Sequence, residues 1–201
     1  AVSFDGANDF AAISSDPDIF GGSRIAVVVC NFYGIENSAN RFLYSEQFTS
    51  GSKSRVNVAF LNDNTIELAA RSATGDNRGV ANAADTVSQS AWHSLVAAID
   101  IEDERAYCWI DGDEPAGWAG GVALNNPQSL DTFDTAAMQA QVWGAANAAA
   151  ALPFKGKLKW MGLKATSTLP TDADAQAYYN NPQAFLDNYG FDAYWYCDET
   201  D

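Results

Sequence analysis

The chain has 201 residues, enough for one large β domain or two small ones, and 47% of them are hydrophobic, so a sizeable core is expected. Its 26 acidic and 11 basic residues give a formal net charge of −15, which repels nucleic-acid phosphates and anionic lipid surfaces. No apolar run approaches the roughly 20 residues that a membrane-spanning helix needs. The longest, residues 25–30, suits a buried strand.

Strand signals fill the first two-thirds of the chain. Short β-rich runs alternate with clusters of Gly, Asn, Asp and Ser. The pattern predicts strands over 2–4, 10–13, 24–32, 41–47, 55–62, 65–72, 93–101 and 105–110, then 139–143 and 156–166. Asn62-Asp63-Asn64 and Glu102-Asp103-Glu104 read as tight hairpin turns. Two stretches, 73–90 and 112–137, read as long loops, a length that is uncommon without a function. Residues 171–181 change character: Thr171 offers a helix cap, acids follow it, and Ala173, Ala177 and Tyr178 recur at helical spacing. Asn181-Pro182 stops that helix, and a second short one is predicted over 183–188. Tyr194-Trp195-Tyr196 fits either a last strand closing the sheet or an anchor on a neighbouring subunit. With neither repeat nor linker, residues 1–201 read as a single domain.

Many strands of similar length with turns between them argue for a sandwich or barrel. The hairpin around Glu102 adds a detail. Leu95, Ala97 and Ile99 fall on one face and Trp92, Val96 and Ala98 on the other, and the return strand alternates Ala106, Cys108 and Ile110 with Tyr107 and Trp109. Both faces are largely apolar, so this hairpin is central and something covers its second face: a loop, the late helix or a partner chain.

In this order the motifs resemble a known family. Val-Ser-Phe-Asp-Gly-Ala-Asn-Asp-Phe, residues 2–10, is similar to the opening strand and turn of laminin-G-like domains. Ala-Trp-His-Ser-Leu-Val-Ala, residues 91–97, with Tyr107-Cys108-Trp109-Ile110-Asp111-Gly112, resembles the family's Trp-His strand and its Asp-Gly hairpin. Val142-Trp143-Gly144, Phe154-Lys155-Gly156-Lys157-Leu158 and the closing helix over 169–178 follow in the family's order, and Asn181-Pro182-Gln183-Ala184-Phe185 is similar to a tail of the versions found in phage structural proteins. The resemblance implies an all-β, two-sheet antiparallel jelly-roll sandwich of the concanavalin-A/laminin-G type, with one or two short C-terminal helices. Such folds serve lectins, adhesion modules, glucanases and viral structural proteins, so the fold leaves function open.

Catalytic signatures are weak. His93 is the one histidine, and within a Trp-His strand it reads as structural. No Gly-x-Ser-x-Gly elbow supports a serine nucleophile, and the residues do not offer a zinc site. Retaining glucanases of this fold carry alternating acids on one strand, which puts two carboxyl groups about 5 Å apart. Asp100, Glu102 and Glu104 alternate but fall at a hairpin tip, where solvated acids are the ordinary reading. Calcium wants several loop oxygens; the candidates are Asp5, Asn8, Asp9, Asp131 and Asp134. For a sugar, whose ring has an apolar C–H face, the candidates are aromatics near loops: Trp118, Tyr33 and Phe133.

Three cysteines, Cys30, Cys108 and Cys197, are odd in number and widely spaced, unlike a disulfide framework. Cys30 and Cys108 read as small core residues, and one bridge stays open for a chain that matures outside a cell. No signal peptide is visible. The expectation is a non-catalytic recognition module. It binds polysaccharide or a host-surface glycan, with or without Ca²⁺, and meets other subunits on a phage or phage-like particle surface or outside a cell. The rivals are a purely structural virion protein and a glycan-cleaving enzyme.

Overall fold

A computed structural model gives the fold and describes residues 1–7, 9–14, 19–34, 41–48, 56–71, 78–82, 87–125, 132–133, 138–145 and 152–196. Along the chain run β1 (Val2–Asp5), β2 (Ala11–Ser14), β3 (Ile25–Gly34), β4 (Arg41–Phe48), β5 (Val56–Phe60), β6 (Ile66–Arg71) and β7 (Arg78–Asn82). Then come β8 (Trp92–Asp100), β9 (Arg105–Ile110), β10 (Val122–Ala123), β11 (Met138–Trp143), β12 (Lys155–Thr166), α1 (Asp172–Asn180), α2 (Pro182–Tyr189) and β13 (Ala193–Trp195). One sheet has the order β1-β12-β3-β8-β9-β10, with β13 also paired to β12; the other runs β2-β11-β4-β5-β6-β7. Neighbouring strands are antiparallel. The architecture is the expected two-sheet jelly-roll sandwich with two short C-terminal helices.

Alternation explains where each strand buries its side chains. Val28, Cys30 and Phe32 of β3, with Leu95, Ala97 and Ile99 of β8, point between the sheets and meet Val56, Val58, Phe60, Ile66 and Leu68. Ile25, Val27, Val29, Val96, Ala98, Tyr107 and Trp109 point outward and form a second core with Ala175, Tyr178, Phe185, Leu186 and Phe191. The cover foreseen for the central hairpin is therefore the pair of late helices. Gly162 permits their close approach, because a Cβ there would lie 2.7 Å from Leu186 Cδ2 and 2.8 Å from a Phe191 ring carbon.

The helices begin where the sequence says they should. Thr171 and Asp174 form a capping box at α1. Asn181 Oδ1 accepts from the Ala184 N–H, and Pro182 sits in the first turn of α2. Capping thus accounts for the Asn-Pro pair locally. The turns at Asn64 and Glu104 take φ of 65° and 56°, as tight hairpins require.

Four expectations need correcting. Strands β7 and β10 lie inside stretches read as loops; β7 is an edge strand (Arg-Gly-Val-Ala-Asn) without alternation, and β10 is only two residues long. Asp100 is not a solvated tip acid but is fully buried, gripped by Arg24 through Nε and Nη2 at 2.8–3.1 Å. Arg24 also reaches Glu102 at 2.6 Å and Asp103 at 2.7 Å, so one guanidinium bridges three acids of this tip. Trp118 and Phe133, expected to be free to stack on a sugar, are 1% and 2% exposed and belong to the inter-sheet core. Turns at Gly117, Gly120 and Gly121, all at positive φ, fold the Trp118 loop back so that the indole plugs the sandwich.

Cys30 and Cys108 are buried free thiols, and burial pushes both well above the ordinary thiol range; Cys197 lies outside the described residues. Because Trp118 fills core space, Trp118→Ala is expected to destabilise the fold by about 3–5 kcal/mol. Urea unfolding followed by circular dichroism measures it, and an unchanged midpoint would place the indole on the surface.

Candidate functional site

The helices cover only part of the outer face of the β3-containing sheet. Beyond them, cross-strand register sets out two further rows. In the first, Lys157 of β12 faces Tyr33 of β3, which faces Trp92 of β8; in the second, Lys159 faces Asn31, which faces Ser94. Directly opposed residues share a face, so all six project to the outer side. Trp92 is 39% exposed, and Tyr33, half-buried, has its ring centroid 5.7 Å away.

A backbone irregularity completes the cluster. The β12–β3 register shifts between Lys159 and Gly162, and Trp160 inside this bulge has φ of 47°. Positive φ is strained for a bulky residue, and bulges re-aim side chains. Here the bulge brings Lys159 Nζ 4.2 Å from the Trp92 ring centroid and 4.0 Å from that of Trp160. Buried Tyr178 of α1 donates its hydroxyl to the Trp160 carbonyl at 2.5 Å and holds the bulge. Below the rings lies Asn31, 9% exposed, with Oδ1 lacking a hydrogen-bond partner among the described residues.

A pocket of about 280 Å³ lies at the end of the sandwich, lined by Val87, Ser88, His93, Ile110, Asp111, Asp113, Glu114 and Pro115. It contains a serine, a histidine and an aspartate in sequence of contact. His93 Nδ1 is 2.7 Å from Asp111 Oδ2, and His93 Nε2 is 2.9 Å from Ser88 Oγ. The same Nε2 lies 2.9 Å from the Ser88 carbonyl oxygen, which can only accept. When Nε2–H donates to that carbonyl, no lone pair is left there for the serine proton, an arrangement that argues against the general base of a triad. Burial works to lower the His93 pKa, but the hydrogen bond and charge of Asp111 and the Ser88 carbonyl outweigh it and hold the value above 6.5. Asp111 is itself fixed, since its Oδ1 accepts from the Ser94 N–H at 2.8 Å. His93 thus ties the segment at Ser88 to Asp111 in the turn after β9. In the same pocket, burial first and then the Asp172 charge raise the Glu114 carboxyl.

Of the residues expected to ligate calcium, Asp5 and Asp9 hydrogen-bond within the entry turn. Asp9 Oδ2 accepts from the Asp5 N–H at 2.9 Å, and Asp5 Oδ1 accepts from the Ala7 N–H at 2.7 Å. Asn8, Asp131 and Asp134 lie outside the described residues. Among the described residues, no group of three or more His, Cys, Asp or Glu side chains is placed to hold a metal ion.

No family model and no curated protein matches the chain. Solved structures do. A Ruminococcus gnavus IT-sialidase CBM40 aligns with a TM-score of 0.64 at 15% identity, covering 89% of this chain and 95% of that one. The same module bound to alpha2,3 sialyllactose aligns at 0.59. A heptameric SAP-like pentraxin from Limulus polyphemus gives 0.60 at 12% identity over 88% of this chain and 80% of that one. The LG1-3 region of the laminin alpha2 chain gives 0.60 at 16% identity, covering 80% of this chain and 30% of that one.

The chain has the concanavalin-A-like, laminin-G-like jelly-roll fold.

Within this jelly roll the structure sorts the aromatic candidates. Tyr33 stands on the surface beside Trp92, whereas Trp118 and Phe133 do not. Trp92 was passed over because a Trp-His strand suggested packing; its alternation with the core-facing Leu95 already placed it outside. The His93 pin gives a pH dependence. A pKa raised on folding stabilises fully below the unfolded value of about 6.5, and that contribution is lost as pH rises through the higher folded value. His93→Gln lacks the charge. The thermal midpoint of the native chain should exceed that of the variant most near pH 5.5, with the gap shrinking towards pH 8.5. A gap that does not vary with pH would mean an uncharged ring.

Proposed function

We propose that this jelly roll is a non-catalytic glycan-recognition module whose contact surface is the aromatic platform of Tyr33 and Trp92. One observation carries the reading: a large indole, 39% exposed, stands beside a second ring on two central, hydrogen-bonded strands, while Trp109, Trp118 and Trp143 are buried. A pyranose stacks its apolar face on such a surface, and rigid strands hold the rings in place without an ordering cost on binding. The unpartnered Asn31 Oδ1 and the lysines of β12 supply polar groups beside the rings for hydroxyls. The fold's similarity to a sialyllactose-bound module supports this reading. A glycan-binding role places the domain where polysaccharide is met, on a particle surface or outside a cell.

A second reading, contact with other subunits of an assembly, has its own support. Tyr179, Tyr194 and Tyr196 are 49%, 43% and 38% exposed, and the last two rings lie 5.3 Å apart near the C-terminus. Light scattering after size exclusion separates the two readings. A monomer that binds sugar favours recognition, and a sugar-blind oligomer broken by Tyr194→Ser favours assembly.

Truncating a central aromatic anchor typically removes 2 kcal/mol or more, about 30-fold in Kd. Trp92→Ala is therefore expected to weaken binding to whichever polysaccharide is retained in affinity electrophoresis by about that factor, whereas Trp118→Ala acts on stability alone. Unaltered mobility of Trp92→Ala would remove the platform as the site. Because the platform is built from ring carbon, amide and ammonium groups, EDTA should leave binding intact. Loss of retention on chelation would return the contact to calcium-dependent loops.

A further inference from the structure

The platform carries a charge that the chain as a whole does not. Strand β12 reads Lys155-Gly156-Lys157-Leu158-Lys159, and period two lines the three lysines along the outer face. They are three of the five lysines in a chain of net charge −15. Register places Lys157 beside Tyr33 and Lys159 beside Asn31, each one strand spacing of about 4.8 Å away. At physiological ionic strength charges are screened beyond about 8 Å, so the cations of β12 act on the rings from within that range.

Lys159 is positioned further by the strained bulge at Trp160, which brings its ammonium over two indoles. Strained backbone that persists in a structure is a pointer to function. The Lys159 ammonium lies over a face of the Trp92 ring, so a sugar stacking on that face displaces it, and the displaced cation meets an anionic oxygen better than a neutral hydroxyl, since charge-assisted hydrogen bonds are roughly twice as strong. Asn31, nine-tenths buried between Lys159 and Ser94, adds an acceptor oxygen without a partner among the described residues. That oxygen suits a ligand hydroxyl once Lys159 swings towards the anion.

Building on the glycan reading above, we propose that this face selects sugars bearing a carboxylate or a sulfate, with the ring over Trp92 and Tyr33 and the anion against Lys157 and Lys159. The carboxylate and the sulfate are one chemistry here, a ring-borne anion, and the test separates them.

Affinity electrophoresis of the full chain through gels containing polygalacturonate, dextran sulfate or neutral dextran reads the selectivity, at low and high NaCl. Retention by at least one charged polymer, about tenfold tighter than by dextran and weakened by salt, is expected. Lys157→Gln/Lys159→Gln should bring that retention down to the dextran level, and Trp92→Ala should reduce it too. Circular dichroism confirms that each variant is folded. Which polymer is retained tells the carboxylate from the sulfate. If dextran is held as tightly as the charged polymers, or if the double variant is retained like the native chain, the selectivity is wrong while the platform stands. Retention that survives Trp92→Ala but not the lysine change marks nonspecific polyelectrolyte contact and overturns the proposal. No retention by any polymer overturns it together with the glycan reading.

Discussion

Burial of the central sheet on both faces is the constraint from which the rest follows. Strands β3, β8 and β9 present apolar side chains outward as well as inward, and neither set can stay in water. The second sheet answers one face, and α1 with α2 answers the other. Two helices of nine and eight residues are too short to roof strands of nine to twelve residues along their whole length. Their reach ends near Gly162, where Leu186 and Phe191 press on the backbone. In the first row beyond, Asn31 and Ser94 are still buried, and the next row, from Lys157 to Trp92, forms a shelf that carries the exposed indole. The platform is therefore a by-product of cover that stops short, made rigid by the strands beneath it.

Much of this was legible in the residues. Alternation gave most of the strands, Thr171 and Asn181-Pro182 gave the helix limits, and the doubly apolar hairpin announced that something had to lie on it. What could not be read were contacts between residues far apart in sequence. Nothing local says that Arg24 will grip Asp100, or that the loop bearing Trp118 will fold inward rather than outward. Composition made Trp118 a plausible surface ring because glycine-rich loops are usually exposed; tight turns at those same glycines are what drive it into the core. Nearness to a loop points to Tyr33, but the strand register is what sets its ring on the outer face. Its partner Trp92 becomes visible only when two strands are set in register.

The His93 pocket shows why three residue types in contact do not make a mechanism. Ser88, His93 and Asp111 stand at triad distances, and Asp111 is anchored as an orienting acid would be. The Ser88 carbonyl in front of Nε2 competes with the serine hydroxyl for that nitrogen and argues against a triad. The imidazole instead ties the segment after Val87 to the turn after β9. A polar cluster of this kind fixes loop geometry.

The hydrogen bond from Tyr178 to the Trp160 carbonyl joins the helix layer to the shelf mechanically. Helix α1 docks through this tyrosine onto the irregular turn of β12 whose side chains belong to the proposed contact surface. Occupancy of the surface and seating of the helix are then thermodynamically linked, and the linkage runs in both directions by the same amount. A ligand that fixes Lys159 and Trp160 would slow amide exchange in α1, a segment it never touches, and any partner that lifted α1 from the sheet would slacken the grip on that ligand. The shortest route by which this domain could report an encounter to a neighbour is that one hydroxyl.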